Sequence, residues 1–348
     1  MRFPTQLALL PVAFLTMGVG PATQKAPAPD DAGPQPLSVV LRPGPAHDAI
    51  IKFLLKPYAD ATGTDLGTPA WDGSADGLKQ IAADKKADLA LVDGPTLAAG
   101  CRAQIFDKPD WNSLGRDRFY PQAVSDCGVG AAIAATVLAW DSQKLQATPS
   151  WADFWDVAKH PGRRGLQKTA RKTLEIALLA DGVSPGDIYR TLRNADGVDR
   201  AFRKLDQLKP YIEWWDQPSQ PAQFLTSGKV LLTSAPSAPL PAGPKIHIGL
   251  QWSGCLDEVI AWAILHDAAH PRAALAAIGI ATDPAREASF ARATGLGPST
   301  RAGSALLTAD SRAQNPSANL QNSLEIDEGF WLENGEKLEA RFAAWVAK

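Results

Sequence analysis

The chain is short of several things, and each shortage removes a class of function. Its 348 residues hold only three cysteines, Cys101, Cys127 and Cys255, without the CxxC or CxxxC spacing of zinc sites. Lys plus Arg is 35 and Asp plus Glu is 37, so the global field draws in neither nucleic acid nor an anionic membrane. No Lys/Arg-rich run marks a nucleic-acid footprint, and no nucleic-acid partner is expected. Any charge selectivity must therefore be local. There is no G-x-x-x-x-G-K-[ST] phosphate loop and no G-x-S-x-G elbow. No apolar run is long enough to span a bilayer, and no internal repeat is visible.

What is present suits a globular protein with a sizeable core. Hydrophobic residues make up 45% and charged residues 21%, and the length suffices for two domains. The N-terminus has the pattern of a secretory signal over residues 1–22. Arg2 supplies the charge, Leu7 to Val19 is apolar, and Gly20-Pro21-Ala22 offers small residues for cleavage after Ala22. No Cys stands directly after that point, which argues against a lipoprotein anchor. Residues 23–36, TQKAPAPDDAGPQP, are Pro-rich and polar and read as a disordered leader. Export implies an oxidising compartment, and Cys101 is paired with Cys127. Such a link is worth about 3–4 kcal/mol in the chain-entropy picture. The alternative is three buried free thiols; with the link, Cys255 is left over.

Short apolar strands alternate with helical stripes. Leu37–Leu41 reads as a first strand. It is followed by a helix with Ile50, Ile51, Leu54, Leu55 and Tyr58 on one face, ended by Gly63. Ala87–Asp93 is a short strand stopped by Gly94-Pro95. Ala131–Trp140 is a long one, and Lys229–Thr233 and Glu258–Leu265 are two more. Ser150 with Asp153 has the form of a capping box before Trp151, Phe154 and Trp155. Pro271–Ala281 and Asp327–Lys348 read as helices, the second with Phe330, Trp331, Leu338, Phe342 and Trp345 on its apolar side. This alternation gives an α/β fold with largely parallel sheet flanked by helices. Ligands in such folds sit at the carboxyl ends of strands. The loops there are Arg42 to His47, Trp71 to Ser74, and Asp93 to Thr96.

Rival constellations carry less. His266-Asp-Ala-Ala-His270 has helical metal spacing but lacks the Glu of HExxH and a third ligand, so both histidines read as surface residues. Gly128-Val-Gly130 precedes a strand, not a helix. Asp257 and Glu258 are adjacent in a strand and point to opposite faces, which rules out a shared acid–base task. No nucleophile–base pair and no metal or cofactor site emerges. Of the eleven tryptophans, Trp214 and Trp215 alternate in a strand, and Trp215 is the one assigned inward.

Several longer segments, in order, resemble one family. They are Ser150 to Tyr189, Asp126 to Asp141 (DCGVGAAIAATVLAWD), Val198 to Trp215, Gly228 to Ala235 (GKVLLTSA), Gly295 to Thr300 (GLGPST) and the C-terminal IDEGFWLENGEKLEARFAAWV. The chain is similar, from about residue 37 to its end, to the periplasmic solute-binding proteins of ABC importers, of the polyamine (spermidine/putrescine) type. The resemblance implies a type II-like fold of two α/β lobes, each a mostly parallel sheet flanked by helices. Lobe one would comprise 37–138 and 256–308, and lobe two 139–255 and 309–348. It further implies a periplasmic monomer that captures a small molecule by hinge closure and passes it to an inner-membrane permease, without turnover.

The departures from that family bear on the ligand. Amine binding needs carboxylates and aromatic rings. Here Thr169 and Lys172 stand where the family's amine binders place acids. The loop LRPGPAHD lacks their Trp and Tyr, and Ile260 stands in place of an Asp that a register shift to Glu258 would restore. An anionic or zwitterionic ligand is therefore expected, gripped by Arg42 and by Lys168 or Lys172, with Trp71, Trp215 and Trp252 as walls. Asp72, Asp93, Thr169, Ser234 and Glu258 complete the expected set. A polyamine ligand, an enzyme and a sensor on the same fold are the alternatives.

Overall fold

The computed structural model describes residues 35–238 and 247–348, apart from Pro43 and Pro45. The expected signal peptide and nearly all of the leader lie outside the described residues. The apolar runs form the strands of one ten-stranded sheet: β1 (Leu37–Leu41), β2 (Leu66–Gly67), β3 (Leu89–Val92), β4 (Val129–Asp141), β5 (Arg164–Gln167), β6 (Ile212–Trp215), β7 (Leu232–Pro236), β8 (Ile248–Ile264), β9 (Gly297–Pro298) and β10 (Leu324–Glu325). Their order is β2-β1-β3-β8-β4-β7-β5-β6, with β9 on β4 and β10 on β8. β2, β1 and β3 form one parallel block, and β7, β5 and β6 another. The long strands β4 and β8 run antiparallel to one another between the two blocks, β8 antiparallel to β3 and β4 antiparallel to β7.

Two hydrophobic cores share this sheet. One gathers Leu37, Leu54, Leu89, Val129, Trp262, Ile278 and Phe290. The other gathers Leu138, Phe154, Leu166, Ile176, Phe202, Leu256, Phe330 and Phe342. β4 and β8 contribute to both. Between the cores their pairing shifts register near Thr136–Leu138, and Gly254 takes φ +72°, a conformation that glycine reaches without a Cβ penalty.

Strand edges differ from the sequence expectation for local reasons. β8 begins at Ile248, not Glu258, because Gly249, Gln251, Ser253 and Gly254 hide a strand whose pairing partner β4 supplies the regularity. The strand expected at Lys229–Thr233 starts at Leu232, because the amides of Lys229 and Val230 bond to Phe224 O at the end of the preceding helix. β7 then absorbs Ser234–Pro236 of the Pro-rich connection, of which 239–246 lie outside the described residues. β3 stops at Val92 because Asp93 caps the next helix.

Other expectations coincide with the structure. β1 and the helix Pro271–Ala281 have the expected bounds. The Ser150 capping box is formed, with Ser150 N donating to Asp153 Oδ2 at 2.9 Å and Asp153 N to Ser150 Oγ at 3.2 Å. Cys101 and Cys127 are bridged, their Cα atoms 5.9 Å apart, and Cys255 is a buried free thiol.

The helix Glu328–Val346 packs Phe330, Trp331, Leu338 and Phe342 into the second core. It is tied there by a buried polar contact. Glu175, with no solvent exposure, accepts from Trp331 Nε1 at 2.6 Å and from Tyr189 Oη at 2.9 Å. Burial pushes the Glu175 carboxyl up to about 6, against the lowering effect of those donors. Trp345 is only partly buried and stacks edge-on against Phe202 and Trp214. Among the described residues, no helix is long and apolar enough to cross a membrane.

Candidate functional site

The carboxyl ends of β3 and β5 approach each other over the midpoints of β4 and β8, where Ala134 and Glu258 are register partners. They enclose a cleft of about 370 Å³ lined by Asp93, Gly94, Pro95, Ala134, Gln167, Thr169, Arg171, Lys172, Glu258, Val259 and Ile260. Two larger hollows, of about 440 and 520 Å³, are shallow grooves on outer helices and reach no strand end.

On one side, Asp93 caps the helix Gly94–Arg102, accepting from Thr96 N at 3.0 Å. Its second oxygen pairs with the half-exposed guanidinium of Arg42, at the end of β1. On the other side, the chain leaves β5 and turns through Lys168–Lys172 into the helix Thr173–Ala180. Thr173 Oγ1 closes that turn by donating to Gln167 O at 3.0 Å. Lys172 sits at φ +70°, ψ −39°, a conformation that costs a non-glycine residue on the order of 1–3 kcal/mol and persists only where neighbours impose it.

Four charges alternate at the cleft: Lys172, Glu258 and Arg171 line it, and Glu328, outside the lining, is held by Arg171. Arg171 grips Glu328 bidentately at 2.8 and 2.7 Å and also reaches Glu258 Oε1 at 2.7 Å. Lys172 Nζ lies 2.5 Å from Glu258 Oε2. All four side chains are mostly buried, 15–21% exposed. Burial raises the Glu258 carboxyl, but the charges of Lys172 and Arg171 outweigh it and hold the group at about 2. Burial lowers the Arg171 guanidinium, and its bonds to Glu328 and the charge of Glu258 more than reverse this, leaving it above its ordinary range. Burial keeps Glu328 above the usual carboxyl value, since Arg171 offsets it only in part. The quartet Lys172–Glu258–Arg171–Glu328 is neutral as a set and presents both signs within hydrogen-bond reach of one small volume. A solute with both charges can exchange partners with it; a solute with one charge leaves the opposite pair uncompensated.

Gly94 is required here for space. A Cβ at that position would lie well inside contact distance of Glu328 Oε1 and Cδ, and Arg171 prevents that carboxylate from swinging away. Gly94→Ala should therefore weaken ligand affinity about tenfold, the loss expected from one charge-assisted hydrogen bond. Titration calorimetry on the variant checks it.

Of the residues expected from sequence, the cleft gathers Asp93, Thr169, Lys172 and Glu258. Arg42 stands at its rim through Asp93. The others lie elsewhere. Lys168 does not line the cleft, and its side chain is exposed; its amide bonds to Trp215 O at 2.8 Å. Trp71 is buried among Val40, Leu78 and Ala90, its indole N donating to Ser74 O at 2.8 Å. Asp72 closes a local turn by accepting from Ser74 N and Ser74 Oγ at 2.8 and 2.7 Å. Trp215 and Trp252 are buried and absent from the lining; the β4 register turns Trp252 to the face opposite Glu258, whereas Trp215 pairs with Gln167, which does line the cleft. Ser234 is buried beside Leu138 in the β4–β7 register. Asp257 and Glu258 do point to opposite faces. His266 pairs with Asp107 at 2.7 Å, and the amide of His270 bonds to Asp88 at 2.8 Å. Sequence reasoning missed Arg171 and Glu328.

Residues 54–317 match the family of bacterial extracellular solute-binding proteins. The chain belongs to that family. The gamma-aminobutyric acid (GABA)-binding protein of Pseudomonas aeruginosa is 36% identical to it over 322 residues, 90% of this chain and 92% of that one. The Atu4243–GABA receptor structure superimposes with a TM-score of 0.78 at 24% identity, covering 90% of this chain and 98% of that one. The spermidine/putrescine ABC transporter substrate-binding protein PotD of Streptococcus pneumoniae gives 0.71 at 14% identity, over 90% and 100%. The fold is thus that of the periplasmic binding proteins, and the protein is the solute-binding component of an ABC transporter. The resemblance read from the sequence holds for the family; its polyamine branch is not what the more similar relatives carry in their names.

Proposed function

We propose that this solute-binding protein captures a small zwitterion of the ω-amino-acid type, with GABA as the first candidate. The alternating quartet Lys172–Glu258–Arg171–Glu328 is the observation that carries this reading. The ligand's carboxylate would replace Glu258 on Lys172 and Arg171. Its ammonium would sit against the released Glu258 and against Asp93, with Ala134, Val259 and Ile260 beside its methylenes. The two GABA-binding relatives support the choice of ligand.

The two cores joined by β4 and β8 support a hinge, with lobes near 37–138 plus 256–308 and 139–255 plus 309–348. Closure then follows from ligand contacts that both lobes make only when shut. Export to the periplasm, delivery to a membrane permease and the absence of turnover complete the proposal. The carboxylates of the cleft favour a polyamine as the second reading.

Calorimetry with GABA, putrescine and glutarate separates these. GABA should bind one per chain and at least about tenfold more tightly than either singly signed analogue, each of which loses a charge-assisted pair worth about 1.5–3 kcal/mol. Tighter binding of putrescine or glutarate than of GABA would overturn the zwitterion reading.

A further inference from the structure

We propose that Glu339 is a positioning residue for the two cations of the cleft, an inference that rests on the zwitterion reading above. Glu339 lies in the middle of the helix Glu328–Val346, partly buried at the edge of the face that carries Trp331, Leu338 and Phe342 into the core. A carboxylate there needs partners. It finds them in the turn that leaves β5. Thr169 Oγ1 donates to Oε1 at 2.5 Å, Arg171 N to the same oxygen at 3.1 Å, and Ala170 N to Oε2 at 2.9 Å. Among the described residues Glu339 makes no ion pair, so its negative charge is met by neutral donors from three consecutive residues. Donors that converge in this way form an anion-holding nest, and here the anion belongs to the protein itself.

The grip has a consequence one residue further on. With the amides of Ala170 and Arg171 aimed back at Glu339, the chain must reverse before the helix Thr173–Ala180. The reversal falls on Lys172, whose φ of +70° turns its side chain to Glu258. The same helix holds the Arg171 guanidinium through Glu328, eleven residues away. One rigid helix thereby fixes the turn at its backbone and at its guanidinium, and Glu339 touches no ligand while setting where both cations stand. Preorganisation of this kind removes the ordering cost that binding would otherwise meet.

The test uses the full chain with GABA as probe, in a double-mutant cycle of Glu339→Ala and Lys172→Ala. Glu339→Ala should lower GABA affinity about tenfold or more, and Glu339→Gln, which keeps one acceptor oxygen, should fall between. In the Lys172→Ala background the same change should cost clearly less than in the native protein, because one of the two cations it positions is gone and only Arg171 remains to be misplaced. Amide exchange at Ala170 and Arg171 should accelerate in Glu339→Ala even without ligand. Wild-type affinity in Glu339→Ala would overturn the positioning role. Fully additive losses in the cycle would overturn it equally, since a merely structural residue behaves that way. If the native protein does not bind GABA, the zwitterion reading fails, and the exchange at Ala170 and Arg171 still decides whether Glu339 holds the turn.

Discussion

Replacing Arg171 with alanine is expected to destabilise the protein by about 3–5 kcal/mol and to weaken GABA binding about 100-fold or more. Both effects have one source. Among the described residues, Arg171 is the only group that bonds to both Glu258 and Glu328, at 2.7–2.8 Å. Without it, among the described residues, Glu328 keeps no ion-pair partner and Glu258 keeps only Lys172. Two carboxylates, each about four-fifths buried, then face each other with one countercharge. Arg171→Lys should recover part of the stability and little of the affinity, because an ammonium cannot reproduce the planar two-point grip on Glu328. The double variant Arg171→Met/Glu328→Gln separates the two effects. It removes the orphaned charge and should return most of the stability while binding stays lost. Urea denaturation and calorimetry read the two quantities, and an Arg171→Ala protein as stable as the native one would show that the quartet is not the electrostatic centre of the cleft.

The same residue shows where sequence reasoning stopped. In the stretch Gln167–Glu175, comparison with amine binders points to Thr169 and Lys172, where those proteins carry acids, and passes over Arg171 between them. Comparison with amine binders marks positions that touch a diamine; it is silent on a position that matters only once the charge pattern is inverted. Glu328 lies 157 residues further along the chain than Arg171. Its sequence signal, Asp327-Glu328 before an apolar stripe, is also the ordinary signature of a helix N-terminus, and Asp327 does cap it by accepting from Phe330 N at 2.8 Å. Glu339 offered the better clue. A carboxylate eight residues after Trp331 and three before Phe342 falls at the edge of the buried face, where a charge calls for a partner.

The tryptophans failed for another reason. Strand alternation assigns Trp215 inward, and it is buried, but alternation cannot say which face of the sheet the cleft uses, and Trp252 lies in a stretch not read as strand. That is decided by the pairing of Glu258 with Ala134, a long-range register that periodicity does not encode. The fold was more legible because its signals are local: the Ser150 capping box, the apolar run of β1 and the Pro271 helix start need no distant partner.

Stability should pass through a maximum near pH 4.5–5 and fall by several kcal/mol between there and pH 7, the reverse of the usual rise toward neutrality. The cause is a pair of buried carboxyls that, among the described residues, form no ion pair. Glu287 is 1% exposed and ties the Gly297–Thr300 loop, accepting from Ser299 N at 3.0 Å, from Ser299 Oγ at 2.5 Å and from Thr300 Oγ1. Burial raises it to about 7, beyond what those donors restore. Glu175 stands at about 6 for the same reason. The sign follows from linkage. A carboxyl whose folded value is raised keeps its proton where the unfolded chain has released it, so stability declines as pH rises from 4.5 to the folded value. At about 1.4 kcal/mol per pH unit, Glu287 alone accounts for about 3 kcal/mol by pH 7. Glu258 acts oppositely on the acid side. Held at about 2, it stabilises above its ordinary value of 4.5 and loses that contribution as pH falls from there toward 2. Urea midpoints measured from pH 3 to 8 should trace this dome. Glu287→Gln, which retains an oxygen for Ser299 N, should flatten the limb above pH 5 and leave the acid limb unchanged. A native protein whose stability holds level or climbs between pH 5 and 7 would mean that Glu287 and Glu175 are charged in the fold.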